Sequence, residues 1–240
     1  MIPVILAIGT FISTLLGGVV GLRARGRLHR LLGLTAGVVI GVVAFDLLPE
    51  IFTSLGHGIS AREAMLALVV GFLAFHIIEK SILIHHGQER GYEVHHHPHV
   101  GLASALALSG HSFLDGLGIG LGFQAGTGVG IAVAIAVIAH DFSDGLNTVT
   151  LMLINNNNRR KALGMLLMDA LAPVLGAIVG TMVHVSDGGL TLYLGFFAGF
   201  LLYIGASEIL PEAHSKHSSY ATIGLTILGA AFMFFVTRFA

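Results

Sequence analysis

The sequence has no cysteine and no tryptophan, and it is poor in charge. Of its 240 residues, 10% are charged and 55% are hydrophobic. Without cysteine there is no disulfide framework and no thiolate metal site, so a transition metal must be bound by His, carboxylate, Asn, Ser or Met. So little charge cannot cover the surface of a soluble globular protein. The net charge of -1 gives no basis for binding nucleic acid.

Long apolar runs fill most of the chain. A spanning helix needs about 20 mostly apolar residues. The sequence therefore predicts an all-α polytopic membrane protein, with one transmembrane domain over 1–240 and a bundle of eight transmembrane helices. The predicted helices cover about 2–22, 31–50, 63–84, 100–123, 128–153, 162–184, 189–210 and 220–239. The first run lacks the marks of a cleaved signal peptide and is expected to be a retained helix.

Basic residues between the predicted helices give an orientation. If the eight helices cross the membrane in alternating directions, all of the 12 Lys and Arg except Arg62 and Arg238 lie on one side of it. The positive-inside rule makes that side the cytoplasm. Both termini are therefore expected to be extracytoplasmic, in a plasma (inner) membrane of the bacterial type.

The longest connection, 85–99, is rich in histidine and lies on the predicted cytoplasmic side. Such tracts are weak, flexible metal binders. We expect this loop to capture or sense metal without forming the transport site. Its histidines are His85, His86, His95, His96, His97 and His99.

Two motifs each occur twice. H-x-F-x-D-G occupies 111–116 and 140–145, and A-x-[DE]-x-L-P-E occupies 44–50 and 206–212. In the predicted topology the two copies of each motif run in opposite directions. Inverted repeats of this kind are typical of transporters whose substrate site lies near the membrane midplane.

The first motif places ionisable groups in the middle of apolar helices. His111 and Asp115 are four residues apart and share a helix face, as do His140 and Asp144, with Asp141 beside them. Neither helix contains Lys or Arg, and charges at that depth need a partner. A buried His–Asp network that only joins two helices would leave the excess negative charge unpaired. A divalent cation would pair it, and these ligands suit zinc, iron, manganese or cobalt.

Other polar residues are candidate extra ligands or pathway residues, and each is equally an ordinary packing or helix-end residue. Helix ends are where charged side chains reach water. These candidates are Asn147, Asp169, Asp46, Glu50, His76, Glu79, Glu208 and Glu212.

With these motifs the chain resembles the ZIP family of zinc and iron transporters over nearly its whole length. The paired H-x-F-x-D-G motifs, the L-P-E endings, the helix count and the His-rich loop carry the resemblance. It implies that His111, Asp115, His140, Asp141 and Asp144 build a central site for one metal or a bridged pair. It also implies uptake toward the cytoplasm and a homodimer.

The chain departs from the family pattern at the positions that bear on a second metal. Ser112 stands where the family commonly has Asn, and Asp replaces the common Glu at 115 and 144. Ala172 precedes Pro173, where the family often has an acidic residue, and Asp169 lies about one turn earlier. A second site is therefore expected to be weakest at Ser112 and Asp169.

The sequence thus predicts a transporter and not an enzyme. Its cargo is Zn²⁺, Fe²⁺ or a similar ion such as Mn²⁺, Co²⁺ or Cd²⁺, with no cofactor, and the lipid bilayer is its other partner. One alternative is an intramembrane metal-dependent hydrolase, in which the same residues hold zinc and activate water. That alternative lacks an H-E-x-x-H motif. Another is a proton- or sodium-coupled carrier whose carboxylates relay protons.

Overall fold

The computed structural model describes residues 1–23, 29–55, 58–88, 98–214 and 219–239. Within these ranges the chain forms helices joined by short connections, which confirms the all-α prediction. The α-helices are α1 (Ile2–Arg23), α2 (His29–Val42), α3 (Leu48–Thr53), α4 (Ala61–Gln88), α5 (Pro98–Ala125), α6 (Thr127–Ile154), α7 (Arg159–Met182), α8 (Asp187–Tyr203), α9 (Leu210–His214) and α10 (Tyr220–Phe239). Two π-helical turns, Val43–Leu47 and Ile204–Ile209, join α2 to α3 and α8 to α9.

Among the described residues, seven helical segments are long and apolar enough to cross a membrane. They are Ile2–Leu22, Leu32–Thr53, Ala61–Ile78, Thr127–Ile154, Arg159–Met182, Asp187–His214 and Tyr220–Arg238. The 28 residues of α5 would also span in length, at about 1.5 Å per residue. However, His111 and Asp115 lower the mean hydropathy of that helix. An eighth span at α5 therefore stays a prediction.

Four pairs of helices pack backbone to backbone through glycine. Gly17 of α1 lies against the backbone of Phe142 in α6, and Gly145 of α6 lies against the backbone of Thr14 in α1. The same reciprocal contact joins three more pairs. These are α5 with α7 (Gly116 and Gly176), α2 with α10 (Gly37 and Gly229), and α4 with α8 (Gly71 and Gly199). Small residues allow this close approach in apolar surroundings, where van der Waals packing holds helices together.

These pairs assemble into two groups. The helices α1, α5, α6 and α7 contact one another and form the first group. The second group contains α2 with α10 and α4 with α8. Among the described residues, the three largest fully buried side chains are Phe197, Phe200 and Tyr203, and all three belong to α8. One of these rings, Phe197, lies against Gly118 of α5, where the two groups meet.

Both copies of the L-P-E motif follow a π-helical turn. Pro49 is the second residue of α3, and Pro211 is the second residue of α9. A proline cannot bond the carbonyl four residues earlier, and its ring clashes with that carbonyl in an α-helix. Here those carbonyls belong to Phe45 and Ser207, which lie inside the widened turns. The chain therefore continues past each proline as a helix.

Candidate metal centre

Four buried side chains of α5 and α6 converge on one point. His111 and Asp115 come from α5, and His140 and Asp144 come from α6. One ligand atom from each residue lies within 4.8 Å of the others. The residues lie four apart on each helix, so each pair presents its ligands on a single face. The helices α5 and α6 contact each other, which brings the two faces together.

Asp115 lies at the centre of this cluster. Its Oδ2 atom is 3.0 Å from Nε2 of His111 and 3.4 Å from Nε2 of His140. The Oδ2 atom of Asp144 lies 3.4 Å from the same atom of His111 and 3.8 Å from that of His140. Both imidazoles therefore point the same nitrogen at the same carboxylates, an arrangement suited to a shared cation.

Several of these ligand atoms are buried without a hydrogen-bond partner among the described residues. They are Oδ1 of Asp115, Oδ2 of Asp144, Oδ1 of Asp141, and both ring nitrogens of His111. The Nε2 atom of His111 is close to carboxylates, but these contacts do not have hydrogen-bond geometry. Buried polar atoms in folded proteins are nearly always paired, so a cluster of exceptions points to a ligand-binding site. Neither α5 nor α6 contains Lys or Arg. A cation would satisfy these atoms.

Asp141 lies beside the cluster and outside its four members. Its Oδ1 atom is 3.9 Å from Nε2 of His140, and its Oδ2 atom is 3.4 Å from the hydroxyl of Thr14 in α1. It is fully buried. Asp141 is therefore placed to extend the cluster toward α1.

Asp169 of α7 is held by hydroxyl groups. Ser112 donates to its Oδ1 atom at 2.7 Å, and Thr148 donates to its Oδ2 atom at 2.8 Å. Both carboxylate oxygens are therefore already hydrogen-bonded. The sequence reasoning singled out Ser112 and Asp169 but missed Thr148. Its spacing of four residues from Asp144 was the available signal.

The other sequence candidates are not members of this cluster. Asn147 is half-buried on α6. Asp46 lies on the first π-helical turn, and its buried Oδ2 atom has no hydrogen-bond partner within the described part of the chain. Glu50 accepts a hydrogen bond from Ser54 at 3.0 Å. His76 is exposed on α4, with Nδ1 3.3 Å from the hydroxyl of Tyr203.

The remaining candidates are described only in part. Glu212 is exposed on α9. Five more candidates have a helical backbone, and the structure does not describe their side chains. They are Glu79, His85 and His86 on α4, His99 on α5, and Glu208 on the second π-helical turn. His95, His96 and His97 lie outside the described residues, so the predicted His-rich loop has no structural account.

The sequence matches the family described as ZIP zinc transporter over residues 84–237. That region contains both H-x-F-x-D-G motifs and all four members of the cluster. The chain belongs to the ZIP zinc transporter family. This confirms the resemblance seen in the motifs. Together with the seven apolar helices, membership in the ZIP family makes the chain an integral membrane protein.

Individual ZIP proteins match to different extents. The chain is 28% identical over 125 residues to zinc transporter ZIP10 of Mus musculus, covering 49% of this chain and 15% of that protein. It is 28% identical over 165 residues to an uncharacterized zinc transporter of Schizosaccharomyces pombe, covering 64% of this chain and 36% of that protein. It is 26% identical over 243 residues to zinc transporter ZupT of Corynebacterium glutamicum, covering 92% of each. The chain thus spans well under two thirds of the first two relatives and nearly all of the third.

Proposed function

We propose that this protein moves a divalent transition metal, with Zn²⁺ as the first candidate, across the membrane through the cluster of His111, Asp115, His140 and Asp144. The observation that carries the proposal is the convergence of four buried ligands from two helices that contain no Lys or Arg. Zinc binds imidazole nitrogen and carboxylate oxygen and favours four ligands. The relatives are named as zinc transporters. Fe²⁺, Mn²⁺, Co²⁺ and Cd²⁺ use overlapping ligand sets and are the competing substrates.

The four-residue cluster binds one ion first, and a second ion takes its ligands from residues outside these four. Asp141 is the nearest additional carboxylate. Each oxygen of Asp169 accepts one hydroxyl group and keeps a further lone pair, so an ion bound at Asp169 would share this carboxylate with Ser112 and Thr148. We therefore infer a primary site of four ligands and a weaker second site built from Asp141, Asp169 and Ser112, with Asn147 at its edge.

Transport requires that the site open alternately to the two sides. Alternating access usually proceeds by rocking one helix bundle or repeat against the other. The glycine contacts bind α1 to α6 and α5 to α7, so these helices resist separation. We propose that this group carries the ion and moves against the group of α2, α4, α8 and α10. Rocking of one inverted repeat is the alternative. Distances between spin labels on α5 and α8 would change in the first case, while those between α5 and α7 would stay fixed.

Two features support the inverted repeat. Both copies of A-x-[DE]-x-L-P-E lie on π-helical turns followed by a proline. The glycine of each H-x-F-x-D-G copy, Gly116 or Gly145, meets the backbone of a different partner helix in the same way. We infer that α2 and α8, each with the π-helical turn that follows it, are related by inversion. We infer the same relationship for α5 and α6.

The orientation gives each end of the pathway its role. With both termini outside the cytoplasm, Asp46 and Glu50 lie at the entrance. The candidate residues of the cytoplasmic exit are His76, Glu79, Glu208 and Glu212. We propose uptake toward the cytoplasm, a plasma membrane of the bacterial type, a metal-capturing His-rich loop and a homodimer. Accessibility labelling of an exposed position in the connection between α7 and α8 tests the orientation, and the mass of the purified protein in nanodiscs tests the dimer.

Uptake of metal into proteoliposomes tests the function. Vesicles that contain the purified protein should accumulate Zn²⁺, and the double variant His111→Ala, Asp144→Ala should lose this activity. His184→Ala is the matched control, because His184 is exposed between α7 and α8. Unchanged flux in the double variant would rule out transport through this cluster. The hydrolase alternative gains no support from the ZIP relatives, which are named as transporters.

A further inference from the structure

The two histidines of the cluster are held in different ways. The Nδ1 atom of His140 lies 2.9 Å from the backbone carbonyl oxygen of Ala136 and donates to it. The Nδ1 atom of His111 is buried and has no hydrogen-bond partner among the described residues. A metal-bound histidine normally donates its second ring N–H, which fixes the tautomer and the ring orientation. His140 meets this condition and His111 does not, although both occupy the same position of the repeated motif.

Aromatic rings surround His111 in place of a hydrogen bond. The ring centroid of Phe75 on α4 lies 5.1 Å from that of His111, and the centroid of Phe200 on α8 lies 4.9 Å from it. Phe75 and Phe200 also pack edge to face, with centroids 4.7 Å apart. We call these two residues the aromatic sleeve. Ring contacts confine an imidazole in space, but they do not select which nitrogen carries the proton, as a carbonyl acceptor does.

The aromatic sleeve belongs to the second helix group, while His111 belongs to the first. Beyond the sleeve, Phe75 packs on Tyr203 with centroids 5.7 Å apart, and the hydroxyl of Tyr203 lies 3.3 Å from Nδ1 of His76. His76 is exposed. Aromatic contacts therefore run from the buried cluster to an exposed imidazole on α4. Among the described residues, His140 meets this chain of rings through His111, with ring centroids 5.7 Å apart, and its Nδ1 atom is anchored within its own helix.

We propose that His111 is the exchanging ligand of the transported ion, that His140 is the fixed ligand, and that Phe75 and Phe200 are positioning residues that control how readily the His111 ring leaves the ion. This proposal rests on the proposed function and assigns roles within the same cluster. The ring of His111 lacks the acceptor that would orient it, so its bond to the ion is the weaker of the two. The ion therefore becomes exposed first on the side of α4 and α8.

Zinc binding by single variants tests the difference between the histidines. The full chain in detergent is titrated with Zn²⁺ against a chromophoric chelator. Partners that orient a metal-bound histidine are worth about 10- to 100-fold in affinity. We therefore expect His140→Ala to lose at least about 10-fold more affinity than His111→Ala, by the same principle. Thermal unfolding of each metal-free variant shows whether it has folded.

A double-mutant cycle on the dissociation rate tests the aromatic sleeve. Rapid mixing with excess chelator gives the rate of Zn²⁺ release. Phe200→Leu is expected to speed release by about 2- to 12-fold, the range that one aromatic contact is worth. The change should vanish in a His111→Ala background and persist in a His140→Ala background, because the sleeve acts through His111. Phe235→Leu is the control, since Phe235 is 58% exposed on α10.

The outcomes separate this proposal from the proposed function. If Zn²⁺ affinity depends on neither histidine, the proposed function fails. If both histidine variants lose the same affinity, or if Phe200→Leu acts equally in the two backgrounds, the assignment of His111 is wrong while the metal site stands. Phe75→Leu, taken through the same cycle, replaces Phe200→Leu if that variant does not fold.

Discussion

Gly116, which follows the ligand Asp115 on α5, lies against the backbone carbonyl of Pro173 on α7. No side chain separates the two helices at this point. The position of Asp115 is therefore fixed by the distance between two helix backbones. The same holds for Asp144, since Gly145 follows it and lies against Thr14 of α1.

Gly116→Ala is expected to destabilise the protein by about 1–3 kcal/mol, because the new methyl group meets rigid backbone. It should also weaken Zn²⁺ binding by displacing Asp115. Gly110→Ala in the same helix is the control, since a Cβ there has no described neighbour within 4 Å. That control is expected to be neutral or to stabilise by up to about 1 kcal/mol, the difference in helix propensity between Ala and Gly. Thermal unfolding with and without Zn²⁺ measures both effects, and equal stability of the two variants would contradict the packing argument.

Zinc should stabilise the folded protein, and the gain should depend on the cluster. At a free Zn²⁺ concentration of about 100 times Kd, binding adds about 2.7 kcal/mol to the free energy of unfolding. Asp144→Asn is expected to lose most of this increment, because Oδ2 of Asp144 faces both histidines. Asp187→Asn, at the start of α8 and outside the cluster, should keep it. The melting temperature, followed during a Zn²⁺ titration and after addition of chelator, gives the result.

The two neighbouring carboxylates should differ in their contribution to affinity. The Oδ2 atom of Asp115 lies within 3.4 Å of Nε2 of both imidazoles, whereas Oδ1 of Asp141 lies 3.9 Å from Nε2 of His140. We expect Asp115→Asn to abolish tight Zn²⁺ binding. Asp141→Asn should cost about 10-fold, at the lower end of the range for residues that support a metal ligand. Titration with Zn²⁺ in competition with a chelator measures the affinity of each variant. If Asp141→Asn had the larger effect, the primary site would lie nearer α1 than the geometry indicates.

Thr148→Val should destabilise the fold, because it removes one of the two donors to the buried Asp169. Loss of a partner to a buried polar group costs about 1–3 kcal/mol. Thr181→Val is the matched control. Thr181 is exposed and its hydroxyl donates to the carbonyl of Ile178, so its replacement should stay within about 0.5 kcal/mol. Thr148→Ser should recover most of the loss, and a Thr148→Val variant as stable as the control would rule out this role for the hydroxyl.

The pairing of side chains at the cluster was predictable from local spacing. Residues four apart lie on one helix face whatever the rest of the fold does, so the motif placed His111 with Asp115 and His140 with Asp144. The partners of Asp169 were not predictable in this way. Ser112 and Asp169 are 57 residues apart, and only the packing of α5 on α7 brings them together. The π-helical turns before Pro49 and Pro211 also escaped prediction, because a proline signals a break in the helix without saying how the chain accommodates it.

The glycine contacts have a consequence for how the chain is assembled in the membrane. The helix α1 packs on α6, and one of their contacts joins residues 125 positions apart in the sequence. The helix α2 pairs with α10, which lies far behind it in the sequence. During synthesis, the glycine faces of α1 and α2 therefore enter the membrane before the helices that cover them in the folded protein. These faces meet their partners only when α6 and α10 have been inserted.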